Sequence, residues 1–186
     1  MSPTHRSPRR VRRRQVLKMA AALAAAACSP RALAAPTEKR ALAFAHLRTG
    51  ETLETVYWLR GRYRPESLHA IDHILRDHRA DALHPIDLDL LDLLYRIKHQ
   101  LRVDEPFQVI SGYRTPATNS WLRQRRSGVA IHSFHMLGKA VDLRLANRGL
   151  RELRQTALRL RAGGVGYYPA RGFLHLDVGP VRTWRG

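Results

Sequence analysis

The sequence predicts an α+β fold: one domain with a small antiparallel sheet and helices packed on it. Three observations lead there. Two short runs, Leu42 to Leu47 and Leu53 to Trp58, flank Thr49-Gly50-Glu51 and read as a hairpin. Later strand-like runs, ending with Val165 to Tyr168 and Phe173 to Val178, are separated by segments whose apolar residues recur at helical spacing. The chain has 186 residues, enough for one domain with a real core and hardly for two.

Residues 1–34 read as an export signal. Arg13-Arg14-Gln15-Val16-Leu17-Lys18 is close to the twin-arginine pattern, and the apolar run Met19 to Ala27 follows it. That run is too short to span a bilayer, which takes roughly 20 apolar residues. Ala32-Leu33-Ala34 offers a small-x-small cleavage site. The expected mature protein is therefore exported and periplasmic, without stable membrane insertion. Cys28 is the only cysteine, so cleavage after Ala34 leaves no disulfide possible. Cleavage just before Cys28, giving a lipoprotein, is the alternative, although Ala25-Ala26-Ala27 lacks the usual leucine.

Lys and Arg number 33 against 15 Asp and Glu. The signal holds 8 of the basic residues and no acid; removing those 8 from 33 leaves 25 against 15, a net charge of +10. Such a surface suits an anionic partner: nucleic acid, acidic lipid or a wall polymer. The export signal argues against nucleic acid.

Residues 35–41 read as a linker, and residues 42–186 as the single domain. After the hairpin, Arg60 to Arg64 is a basic connector containing Tyr63. Pro65 suits a first helical turn, and a helix is predicted to about Asp77 with Leu68, Ile71, Ile74 and Leu75 inward. His69 and His73 have the i, i+4 spacing of a zinc helix, but Ala70 stands where its glutamate would be, so they read as exposed. Asp87 to Leu101 is a second helix with Leu90, Leu94, Ile97 and Leu101 as its stripe, widened by Leu91 and Leu93. Phe107 to Ser111 is a strand. Thr115-Pro116 caps a third helix reaching about Arg126. A loop, Ser127 to Leu137, leads into a strand from Lys139 to Leu145. A fourth helix spans about Arg148 to Arg161, stopped by Gly163-Gly164, and Pro169-Ala170-Arg171-Gly172 joins the last two strands.

The chemistry gathers in Ser133 to Asp142, of form S-x-H-x-x-G-x-A-x-D, and in Phe173-Leu174-His175-Leu176-Asp177-Val178. Strand side chains alternate. Val141, Leu143 and Leu145 share one face, and Asp142 lies on the other with Ala140 and Arg144. Likewise Leu174, Leu176 and Val178 face the core, and His175 and Asp177 face away. If these strands are neighbours, Asp142 and His175 enter one cleft. His135 folds over to meet them, and Gly138 eases that turn. Two imidazoles and a carboxylate, with one position left for water, make up a catalytic zinc set.

Three motifs occur in order: S-G-Y-R-T-P at Ser111 to Pro116, S-x-H-x-x-G-x-A-x-D at Ser133 to Asp142, and G-V-G-Y-Y-P with F-L-H-L-D-V-G over Gly164 to Gly179. With them the chain, from about residue 37 to its end, resembles the zinc-dependent D,D-carboxypeptidase and murein endopeptidase family, which shares its fold with the hedgehog signalling domain. It looks most like an exported murein endopeptidase branch of that family. The resemblance implies one zinc ion held by His135, Asp142 and His175. It implies hydrolysis of an amide bond in peptidoglycan stem peptides. It also implies that Arg114, with Ser133, holds the substrate or the oxyanion formed on it. A D-alanyl cross-link, a link between two diaminopimelates and a stem-terminal bond all fit that description.

The chain departs from the carboxypeptidase branch, which has a glutamate three residues before the last histidine ligand; here that position is Gly172. The general base must come from elsewhere. Asp177 is the first choice, because it shares a face with His175, and His132 is the second. Asp177 can instead orient an imidazole or exchange roles with His175 as ligand. The missing glutamate also keeps a second function open, a non-catalytic wall-binding module on the same fold.

Overall fold

The computed structural model describes residues 38–186; the proposed export signal and Cys28 lie outside the described residues. The strands are β1 (Lys39–His46), β2 (Thr52–Leu59), β3 (Arg62–Tyr63), β4 (Phe107–Ser111), β5 (Ala140–Arg144), β6 (Gly164–Tyr168), β7 (Phe173–Asp177) and β8 (Arg182–Arg185). The α-helices are α1 (Pro65–Ile74), α2 (Leu88–Leu101), α3 (Pro116–Arg125) and α4 (Leu150–Leu160). The fold is α+β, as expected.

The sheet is neither small nor purely antiparallel. All eight strands join one sheet in the order β3-β2-β1-β4-β5-β7-β6-β8, with β1/β4 and β6/β8 parallel. The first parallel pair arises because α1 and α2 carry the chain back before β4 enters beside β1. The two strands not expected from sequence, β3 and β8, are short and rich in arginine. β1 begins at Lys39, inside the stretch read as linker.

α2 is capped by Asp87, whose side chain accepts from the Asp89 N–H at 2.9 Å. Its residues Leu90, Leu91, Leu94 and Ile97 are fully buried, in one core with Val141, Leu143, Leu174 and Leu176. α2 packs on β1 and α4, and α4 packs on β6 and β7. Burying this face obliges the alternate residues of β5 and β7 to face away from the core. α1 ends at Ile74, three residues short of the expected end, and His69 and His73 are exposed on it.

Asp77 has another use. It is 1% exposed and accepts from the Thr115 N–H and Oγ1, both at 2.9 Å, and from the Arg79 N–H at 3.1 Å. One carboxylate thus joins the end of α1 to the cap of α3, next to Arg114. Burial opposes the charge, but bonds from Thr118, Thr115 and Arg79 outweigh it and hold this carboxyl below its usual value.

Asp77→Ala should lower the unfolding free energy by about 1–3 kcal/mol, because buried donors lose their acceptor. Urea titration measures this. A carboxyl depressed in the fold stabilises above its unfolded value and loses that contribution as pH falls through the folded one. The variant should therefore lose less stability than the parent on acidification below about pH 4; equal loss would contradict the assignment.

Candidate metal centre

The pairing of β5 with β7 brings Asp142 directly opposite His175. Their neighbours Val141, Leu143, Leu174 and Leu176 are in the core, so both functional side chains emerge on the opposite face. His135 arrives from a one-turn 3-10 helix, Phe134–Leu137, within the stretch expected to be loop. Gly138 ends that turn at φ +65°, and a Cβ there would stand 2.3 Å from the Pro85 carbonyl oxygen. The dihedral disfavours a side chain and the space excludes one.

The ring nitrogens follow from their partners. His135 Nδ1–H donates to the Gly112 carbonyl at 2.7 Å, leaving the Nε2 lone pair free. His175 Nε2–H donates to Asp177 Oδ2 at 3.0 Å, leaving the Nδ1 lone pair free. These two lone pairs are 3.1 Å apart, and Asp142 Oδ1 is 3.2 Å from one and 2.9 Å from the other. Three electron-rich atoms so close repel unless a cation sits among them, either a proton on His175 Nδ1 shared with Asp142 or a metal ion that displaces it. Ligands 2.0–2.1 Å from a tetrahedral ion stand about 3.3 Å apart, near the spacing here. The donor set fits a metal. Among the described residues this is the one group of three or more His, Cys, Asp or Glu so placed.

Burial, aided by Arg114, pushes the His135 ring down to about 4 and keeps it neutral. Burial opposes ionisation of Asp142, but the Arg114 guanidinium on its second oxygen holds it well below the usual carboxylate range. Burial also opposes charge on His175, and its bonds to Asp142 and Asp177 outweigh that and raise it.

Arg114 reaches the site through an irregularity in β4. Val109 pairs with Leu143 but Ser111 with Asp142, so Ile110 is an extra residue that turns Ser111 toward Asp142. Ser111 Oγ accepts from Arg114 Nε at 2.8 Å, and Arg114 Nη2 donates to Asp142 Oδ2. Arg114 therefore first fixes a ligand. A guanidinium carries five N–H donors, so others remain for the cleft it lines.

For Asp177 the geometry favours one of the alternative sequence readings, orientation of an imidazole, over the first choice, the general base. It shares a face with His175, but it is fully buried and absent from the cleft lining. Its oxygens accept from His175, the N–H groups of Gly164 and Gly179, and two nitrogens of Arg182. Burial favours its neutral form, yet His175 and Arg182 hold it far below the usual carboxylate range. It orients the His175 ring and has no lone pair left to take a proton from water. His132 is exposed and lines the cleft, as does Ser133.

The cleft holds about 280 Å³. Tyr168, Phe173 and Trp184 line it, together with Arg48, Arg79, Arg114, Arg126, Arg171 and Arg182, and its sole acid is Asp142. Trp184, unforeseen in the sequence, lies 5.2 Å from His175, ring to ring. It pairs across from Gly166, where a Cβ would stand 2.6 Å from the indole. The G-V-G run was the available signal for that ring.

Two imidazole nitrogens and one ionised carboxylate at the floor of an open cleft form a donor set that fits a metal-dependent hydrolase. The comparisons narrow the class. The family model described as Peptidoglycan L,D-endopeptidase MepK matches residues 34–184. The Escherichia coli (strain K12) peptidoglycan L,D-endopeptidase MepK is 43% identical over 145 residues, covering 78% of this chain and 80% of that protein. The Haemophilus influenzae protein named "Probable peptidoglycan L,D-endopeptidase MepK" is 39% identical over 156 residues, covering 83% and 84%. The chain belongs to the peptidoglycan L,D-endopeptidase MepK family.

Asp177→Ala should leave the fold intact and weaken metal binding about 10–100-fold, read by chelator competition. Unchanged affinity would show that the ring needs no such support. Metal and proton compete for His175 Nδ1, whose pKa is raised. Affinity in the parent should fall as pH drops through and below the ordinary histidine range, with proton release on binding near neutral pH.

Proposed function

We propose that this protein is an exported zinc endopeptidase that hydrolyses an L,D-amide bond in the stem-peptide cross-links of peptidoglycan. The observation that carries the proposal is the convergence of His135 Nε2, Asp142 Oδ1 and His175 Nδ1 at the floor of a cationic cleft, in a chain of this family. The names of the relatives support the bond class. Residues 1–34 would be the twin-arginine signal and 35–186 the mature chain, acting in the periplasm. Among the described residues no helix is long and apolar enough to cross a membrane.

The donor set of two nitrogens and one oxygen suits zinc. Zinc bound there supplies Lewis acidity and lowers the pKa of water toward about 7. The protein supplies the rest. Asp142 and His175 are kept in place by Arg114 and Asp177. The free donors of Arg114 orient the scissile carbonyl and receive the charge that develops on its oxygen. Tyr168, Phe173 and Trp184 wall one side of the cleft and limit access of bulk water.

His132 is the proposed proton carrier. It is the remaining imidazole on the cleft, and it takes a proton from the attacking water and returns it to the leaving amine. Gly172 has no side chain to carry a proton, and its φ of +71° disfavours the glutamate found there in the sister branch.

Zinc-loaded protein incubated with purified sacculi should release shorter muropeptides, and mass spectrometry of the products names the bond. His135→Ala should abolish release with the fold retained. Recovery of sacculi with bound protein but an unchanged muropeptide profile would instead indicate a wall-binding module. His132→Ala should lower kcat about 10²–10⁴-fold with zinc content unchanged; full activity would assign the base elsewhere.

A further inference from the structure

Three separate loops bring guanidinium groups to the Arg114 side of the cleft. Arg48 comes from the β1–β2 turn, Arg79 from the segment after α1 and Arg126 from the end of α3, and all three are exposed and line the cleft. Among the described residues none of the three pairs with a carboxylate, whereas Arg114 and Arg182, lining the same cleft, each have an aspartate. Asp77, the acid whose charge acts on Arg79, spends its oxygens on Thr115 and on the Arg79 backbone.

These arginines are also positioned. The Asp77 carboxylate that fixes the Arg79 N–H fixes Thr115 beside Arg114, so the two arginines share one anchor. The Arg79 guanidinium lies 5.6 Å from the Trp121 ring, whose centroid is also 4.5 Å from that of Arg125. Partial burial, then Arg48, with Arg114 and Arg126 adding to it, pushes Arg79 below the ordinary arginine value despite Asp77. Like charges crowded this way gain most from an anion placed among them. A guanidinium presents paired donors that match a carboxylate bidentately.

We infer that Arg79, Arg126 and Arg48 form a carboxylate-receiving subsite beside Arg114, which selects stem peptides with free side carboxylates over amidated ones. The inference rests on the peptidase reading and adds a substrate preference to it. Stem peptides built on diamino diacids carry carboxylates that the peptide bonds do not use. The subsite gives one of them a fixed seat, and so sets which way the cross-link lies across His135, Asp142 and His175.

The test uses a synthetic diamino-diacid cross-linked stem peptide with free carboxylates, and the same peptide amidated at those positions. Cleavage kinetics and calorimetric binding are measured for the zinc-loaded parent, Arg79→Gln and Arg126→Gln. The parent should prefer the free acid by roughly tenfold or more in kcat/KM. Each variant should narrow that ratio, chiefly through a higher KM for the free acid, and Arg79→Lys should recover part of it. If Arg79→Gln fails to fold by circular dichroism, Arg126→Gln is read in the same way.

Cleavage of both peptides with equal kcat/KM by the parent would overturn the inference and leave the peptidase reading standing. So would variants that slow both peptides alike. Cleavage of neither, with free-acid-selective binding present in the parent and lost in the variants, would sink the peptidase reading and keep the carboxylate site.

Discussion

Two imidazole lone pairs and a carboxylate oxygen lie within 3.2 Å of one another, and the rest of the site is what makes that arrangement tolerable. To receive a metal, each ring must donate its one N–H away from the centre. Gly112 and Asp177 accept those protons, and Arg114 takes the second oxygen of Asp142. Remove any of these partners and a ring can turn or a proton can fill the gap. Sheet register sets the distances: Asp142 and His175 are cross-strand partners, and burial of Leu143 and Leu174 prevents a one-residue slip.

Charge extends the argument outward from the centre. Asp142 and Asp177 are matched by Arg114 and Arg182, so a divalent ion leaves the centre positive, before Arg48, Arg79, Arg126 and Arg171 are considered. A cleft of that sign attracts acidic peptides and stabilises negative charge forming on a carbonyl oxygen. The net positive sequence charge first read as a general affinity for anions thus has a location, and much of it borders the chemistry.

The residues that could be read from sequence were those whose neighbours are local. Leu90, Leu94, Ile97 and Leu101 announce α2 by spacing, Thr115-Pro116 announces the start of α3, and alternation alone puts Asp142 and His175 on their outward faces. What could not be read depends on distant pairings. The parallel joining of β1 to β4 spans two helices. The extra residue at Ile110 appears only in register with β5. The fate of Asp177 is decided by Arg182, the first residue of β8, and by the Gly164 backbone thirteen residues before it. A shared strand face said that Asp177 accompanies His175; it could not say that the carboxylate is sealed behind the ring rather than open to the cleft. Asp77 was lost for the same reason, since its acceptor role needs Thr115, 38 residues away.

Zinc K-edge X-ray absorption on the zinc-loaded protein tests the central claim most directly. The account predicts one zinc per chain, with a first shell of nitrogen and oxygen only at about 2.0–2.1 Å, and multiple-scattering features of two imidazoles. His175→Ala should reduce that signal to one imidazole. A shell holding a different number of imidazoles, or a spectrum unchanged by His175→Ala, would contradict it.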